Sequence, residues 1–363
     1  MVTTASAPGK IILAGEHAVV YGRPAIAVPV GEVNATAQIT DLPLGSGCLL
    51  VARDIDLRIR LVDAPAELAL ALVTRLTLAQ LALPANPDWQ IEVHSTIPIA
   101  SGLGSGAALS AALVRAIYAH ANQPVTPTLV SELVFASERL YHGTPSGIDN
   151  TVIAYNLPVW FVKGQPPTIF SPRQPFTIAI ANSGIAAPTK ETVGDVRQRW
   201  QAEPALYEAR FDAIGALVRA AQQAIEEGEI VALGDLLNRN QALLAELGVS
   251  SPRLETLIQA ANAAGAWGAK LSGGGRGGNI IALTPPDAVD KVKAALLAAG
   301  AKSVIITTIK PQDALAHASK PHDPPQWSQP LATGDQAGPN PPDNRAQLPP
   351  MPDRSPALGP ASG

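Results

Sequence analysis

The sequence predicts an α+β protein. Strand-like and helix-like stretches alternate between residues 6 and 310, and each glycine-rich segment falls where a strand hands over to a loop or helix. Of the 363 residues, 47% are apolar and 15% charged, enough to bury the core of a soluble globular chain.

In chain order, runs rich in Val, Ile or alternating apolar residues predict strands at Ser6–Leu13, Ala25–Ile39 and Cys48–Leu61. A helical period over Ala66–Leu83 follows, then a strand at Trp89–Ser95, helices at Ser105–Ala121 and Thr128–Tyr141, and a strand at Thr151–Val162. Lys163–Pro175 carries Pro and Gly and breaks both periodicities, so the expected internal boundary divides residues 1–172 from 173–310. Beyond it come a strand at Thr177–Ala181, a long helical region from Thr189 to Glu227, and helices at Val231–Glu246, Pro252–Ala264 and Asp287–Ala298. Strands are predicted at Ala266–Leu271, Asn279–Leu283 and Ser303–Ile309, and no internal repeat is visible. From Pro311 the composition shifts to Pro, Gln, Asp, Asn and Ser; residues 311–363 read as a disordered tail, either a neutral extension or a polyproline partner element.

The formal charge is -4 and the pI near 5.9, without the basic clusters of a nucleic-acid binder. Cys48 is the only cysteine, so no internal disulfide forms; no Cys/His cluster has zinc spacing, and a reducing, cytoplasmic compartment is expected. No basic leader precedes the short apolar run Ile11–Leu13, and no apolar stretch reaches the roughly 18 residues of a membrane span. The expected partners are small molecules, with neither nucleic acid nor membrane; a homodimer is the assembly to test first.

Four segments carry the chemistry. The stretch from Pro98 to Ala108 contains Ser101-Gly102-Leu103-Gly104-Ser105-Gly106-Ala107 and opens an apolar helix. Small residues at a helix start let backbone N–H groups approach an anion and add the positive end of the dipole, a phosphate cradle, although close packing alone explains the same pattern. It is neither a Walker loop nor a dinucleotide fingerprint. A second segment, Ala7 to Gly22, places Lys10 on a strand and Glu16 and His17 in the turn leaving it. A third, Lys270 to Asn279, is too glycine-dense for a helix or paired strand and reads as a ligand loop or a plain hairpin turn. The fourth, Glu138 to Asn150, holds Glu138 near a helix end and Asp149 at a predicted strand start. These two carboxylates could divide metal holding from proton acceptance, or simply lie at the surface. His94, His120 and His142 are read as structural or solvated, Trp89 and Trp267 as core, and Glu191–Arg210 as a solvated helix face.

Together these segments resemble the galactokinase, homoserine kinase, mevalonate kinase and phosphomevalonate kinase (GHMP) superfamily over about residues 5–310. Gly15–Gly22, Gly143–Asn150 and Asn182–Glu191 are most similar to its mevalonate-phosphorylating branch. The resemblance implies an N-terminal domain like ribosomal protein S5 domain 2 and a ferredoxin-like C-terminal domain. It implies ATP as co-substrate, Mg²⁺ as cofactor, and transfer to a mevalonate hydroxyl; a sister kinase or a non-catalytic regulator of the same fold are the alternatives. It places Asp149 as catalytic base with Lys10 beside it, Glu138 and Ser105 on the metal, and residues 101–107 on the ATP phosphates. Glu16, His17, Ser146 and Thr189 would line the acceptor pocket. Two positions depart from the pattern: Gly106, where the family carries a metal-binding serine, and Arg276, where it carries glycine. Arg276 would contact a phosphate or point to solvent, and Gly106 would weaken or alter the metal shell.

Overall fold

The computed structural model describes residues 1–98, 101–142 and 146–311, without the side chains of residues 140–142. The expected tail beyond Pro311 and the reading of His142 lie outside what is described. All described residues belong to one compact unit.

The chain begins with β1 (Val2–Ala14), a 3-10 turn at Ala18–Tyr21 and the long β2 (Ala25–Asp41). Next come β3 (Leu49–Ala52), β4 (Leu57–Arg60), α1 (Ala69–Gln80), β5 (Trp89–Ser95), α2 (Ser105–His120) and α3 (Pro127–His142). They are followed by α4 (Ile148–Tyr155), β6 (Val159–Phe161) and β7 (Thr168–Ile169). The remainder is β8 (Phe176–Asn182), α5 (Thr189–Ala202), α6 (Pro204–Glu227), α7 (Ile230–Glu246), α8 (Pro252–Ala263), β9 (Gly268–Ser272), β10 (Asn279–Thr284), α9 (Val289–Ala298) and β11 (Ser303–Ile309). The class is α+β, as expected.

Among the described residues the first seven strands form one sheet, ordered β4-β3-β5-β2-β6-β7 with β1 on β2, and the last four a second, ordered β11-β8-β10-β9. The second is antiparallel throughout; in the first, only β3 and β5 run parallel. Helix α2 packs on β1 and β2, and α7 and α8 pack on β9. The α2 run of Ala107, Ala108, Ala111, Ala112 and Ala116 is buried, small side chains that bring that helix close to the sheet.

Three elements differ from expectation. Thr151–Val162 is not one strand: residues 148–155 form α4 and only Val159–Phe161 pairs. The β-branched run is overruled by burial, because Asn150 Nδ2 donates to Ser131 Oγ at 2.8 Å and Thr151 Oγ1 to Gly147 O at 2.7 Å, bonds that a helix here satisfies. Asp149 therefore sits in the first turn of a helix rather than at a strand start. Cys48–Leu61 is split by a 3-10 turn at Arg53–Ile55, where Asp54 accepts from His94 and the Ser95 amide. The region Thr189–Glu227 is two helices, broken where Pro204, which lacks an N–H, starts α6.

The other histidine and tryptophan readings stand. His94 is exposed and pairs with Asp54; His120 is buried, bonded to Thr3 Oγ1 and Asp41; Trp89 and Trp267 pack on the core.

Candidate active site

Strand β1 carries Lys10 to a position where its Nζ meets Asp149 Oδ1 at 2.9 Å; the Asp149 side chain keeps 31% of its surface exposed. The lysine is held along its length: its amide donates to Leu103 O at 2.9 Å, and its stem passes Gly104 so closely that a Cβ there would lie 2.9 Å from Cγ. Gly104, at φ +75°, is also the residue that caps α2, so the glycine-rich segment shapes the lysine as well as the helix start. Glu138, on α3, feels the same pair. Burial first and the Asp149 charge second push its carboxyl up to about 7, with Lys10 opposing.

After β1 the chain turns, and Glu16 and His17 both become buried. Glu16 Oε1 meets Lys270 Nζ of β9 at 2.5 Å, and both side chains are almost wholly removed from solvent. Lys270 also donates to Leu271 O, while Glu16 Oε2 is buried with no hydrogen-bond partner among the described residues. Burial drives the Lys270 ammonium below its ordinary value, and the Glu16 charge opposes that. His17 takes a positive φ of 60° and its Nε2–H donates to Gly274 O at 3.0 Å. Burial lowers its imidazole from 6.5; the Gly274 carbonyl opposes this, and the Arg276 and Lys270 charges add to it.

The third glycine segment connects β9 to β10. At Gly275 a Cβ would stand 2.1 Å from Val249 O, so only glycine allows this approach. Arg276 is tied into the protein. Its amide donates to Val249 O, and its guanidinium meets Asp195 of α5 at 2.5 Å, tying the loop to that helix. Asn279 Nδ2 donates to Ser101 O at 2.7 Å and Ser272 Oγ to Ile12 O at 2.7 Å, stitching the second sheet to the first two segments.

These parts surround a cavity of about 270 Å³, near the lower end of small-molecule pockets. Lys10, Glu16, His17, Ser101, Gly102, Thr189, Ser272 and Asn279 are among the residues that line it. Six predicted residues from three segments, Lys10, Glu16, His17, Ser101, Gly102 and Thr189, are thus brought together, with Asp149 joined through Lys10. Helix α5 reaches the cavity through Thr189 and Val193. Residues 103–107 do not line it; Ser105 Oγ lies 3.4 Å from Ser95 Oγ at the start of α2, and Gly106 is exposed. Ser146 is exposed and also off the cavity, its Oγ 3.4 Å from the Ile148 amide. Sequence reasoning missed Lys270 and Asn279, although a lone lysine between Ala269 and Leu271 in an apolar strand was a visible signal.

Sequence profiles described as GHMP kinases N terminal domain and GHMP kinases C terminal match residues 68–156 and 221–302. The chain belongs to the GHMP kinase family. Within it the chain is similar to a mevalonate kinase of Pyrococcus horikoshii, 35% identical over 77% of this chain and 88% of that one. One from Thermococcus sibiricus is 32% identical over 82% and 93%. Among solved structures, L. major mevalonate kinase in complex with R-mevalonate superposes with a TM-score of 0.74 at 28% identity, covering 86% of this chain and 97% of that one.

Proposed function

We propose that this chain transfers the γ-phosphoryl group of ATP to a hydroxyl of mevalonate, giving 5-phosphomevalonate and ADP. The observation that carries the reading is the Lys10–Asp149 pair at the edge of a small cavity that Glu16, His17 and Thr189 also line. An alcohol is a poor nucleophile near neutrality, so a carboxylate must accept its proton as the bond to phosphorus forms. Asp149 is exposed enough to receive that proton, and Lys10 orients it and balances charge on the transferred group. Glu16, His17 and Thr189, which line the cavity, hold the acceptor, while Ser146 lies off it. Residues 101–107, with the N-terminus of α2, hold the phosphates.

The donor set fits a hard divalent cation. Glu138, raised to about 7 beside Asp149, is a carboxylate whose ionised form a cation would stabilise. Glu138 and Ser105 would hold Mg²⁺, with phosphate oxygens and water completing its shell, since no group of three or more His, Cys, Asp or Glu side chains placed to hold a metal occurs among the described residues. When bound, the ion would neutralise charge on the phosphates. We place the domain boundary near residue 172, between β7 and β8, and a cytoplasmic location accords with a lone, buried Cys48.

The test is ADP release from ATP and Mg²⁺ with mevalonate, phosphomevalonate, homoserine and galactose as acceptors, with Asp149→Asn alongside. Turnover on mevalonate alone, lost in the variant, is expected. Turnover on another acceptor would move the substrate assignment, and ATP binding without turnover on any would favour a regulator.

A further inference from the structure

The Glu16–Lys270 pair is unlike every other ion pair among the described residues. Its side chains are 1% and 0% exposed, whereas each other pair has at least one partner that is markedly hydrated. Dry ion pairs rarely earn their place through stability alone, because desolvation offsets the attraction. This pair also leaves one oxygen without a partner. Glu16 Oε1 receives the ammonium and Oε2 receives nothing, yet Glu16 lines the cavity. A buried carboxylate oxygen left unsatisfied is a costly arrangement unless a ligand donor satisfies it.

We propose that Glu16 and Lys270 act as one specificity unit: Lys270 fixes and charge-balances the carboxylate, and Oε2 accepts the hydroxyl of the acceptor that is not phosphorylated. Lys270 does not line the cavity, so it is a positioning residue acting through Glu16. The inference rests on the mevalonate reading, in which the reacting hydroxyl goes to Asp149 and the tertiary hydroxyl at carbon 3 needs its own acceptor. Three features of Lys270 suit it to this work. It lies in a paired strand, Lys270 opposite Ile281, so its backbone is fixed. Its ammonium has a second partner in Leu271 O, which restricts rotation. Its charge counters that of Glu16 where water cannot. The rigidity makes the discrimination sharp, since a site built to receive a hydroxyl rejects a substrate that lacks it far better than an apolar pocket rejects a misfit.

The experiment compares mevalonate with 5-hydroxy-3-methylpentanoate, which keeps the reacting hydroxyl and lacks the other, in the wild type, Lys270→Met and Glu16→Gln/Lys270→Met. In the wild type the deoxy acceptor is expected to show kcat/KM lower by about 100-fold or more. Lys270→Met is expected to raise KM for mevalonate about tenfold or more with KM for ATP unchanged. The double variant removes both charges and is expected to recover the melting temperature lost in Lys270→Met while retaining the high KM and discriminating between the two acceptors by less than about fivefold. A pair that only braces the fold would instead recover stability and wild-type KM together, which overturns the proposal. So does a wild type that uses both acceptors equally well, a comparison that decides even if neither variant folds. A wild type without turnover on mevalonate defeats the functional reading itself, and this inference with it; turnover with equal use of the two acceptors defeats this inference alone.

Discussion

Two lysine–carboxylate pairs lie around one cavity in opposite conditions. Lys10–Asp149 joins β1 to the first turn of α4 with the carboxylate open to solvent, whereas Glu16–Lys270 joins the turn after β1 to the second sheet in a dry interior. The chemistry of the partners is the same and the hydration differs. A carboxylate that must take up a proton in each turnover needs access and a partner that can yield, as Asp149 has. One that must only select and orient gains from immobility, as Glu16 has.

Exchanging chemistry at the wet pair has the largest expected consequence. If Asp149 is the proton acceptor proposed above, Asp149→Asn keeps the shape and removes that acceptor, so kcat on mevalonate is expected to fall by about 10²- to 10⁴-fold with a small change in melting temperature. At the dry pair the effect is on stability. Lys270→Met leaves an uncompensated buried carboxylate and should cost about 3–5 kcal/mol in chemical denaturation, more than Lys10→Met, whose partner can be hydrated.

His17, next along the chain from Glu16, gives a smaller and pH-dependent effect. Burial holds its imidazole below 6.5, so the unfolded chain takes up a proton that the folded chain refuses. Stability is therefore full above 6.5 and is lost as pH falls through the lowered folded value. His17→Asn, which accommodates the positive φ and can donate to the same Gly274 carbonyl, should flatten that slope in melts between about pH 7 and 5. At Gly106 a Cβ meets nothing within 4 Å, so Gly106→Ser is sterically free and should lower the Mg²⁺ concentration for half-maximal rate a few-fold, a change of about 1 kcal/mol or less. Smallest of all is Arg276→Gly. Loss of a half-exposed ion pair and relief of a positive φ roughly cancel, so stability should shift by less than about 1 kcal/mol and KM for ATP should not move.

The same contrast explains what was legible beforehand. Lys10, Glu16 and His17 could be read from a strand and the turn leaving it, and Thr189 from the family resemblance; the structure gathers them at one cavity. Helices α2, α7 and α8 were legible from their periodicity. Helix α4 was not, because Thr151, Val152 and Ile153 carry strand propensity, and what overrules it is Ser131, twenty residues away in sequence from Thr151. Lys270 escaped notice for a related reason. A lysine in a strand reads as a surface residue until Glu16, 254 residues distant, is seen to meet it. The partner of Arg276, Asp195, was not legible because it lies 81 positions away.

Strand β2 has a further consequence. Over Ala35–Thr40 it is bonded to β1 on one edge and β5 on the other, and at Ile26 and Ala27 to β1 and β6. Its amides should be among the last to exchange with deuterated solvent, opening only when the whole molecule does. The loop amides at residues 273–278 have no such double protection within a sheet. Acceptor or nucleotide that slows exchange in the loop and leaves β2 unchanged would report local ordering at the site, while slowing in both would report global stabilisation by binding. One labelling time course would thus separate the motion of the cavity from the breathing of its scaffold.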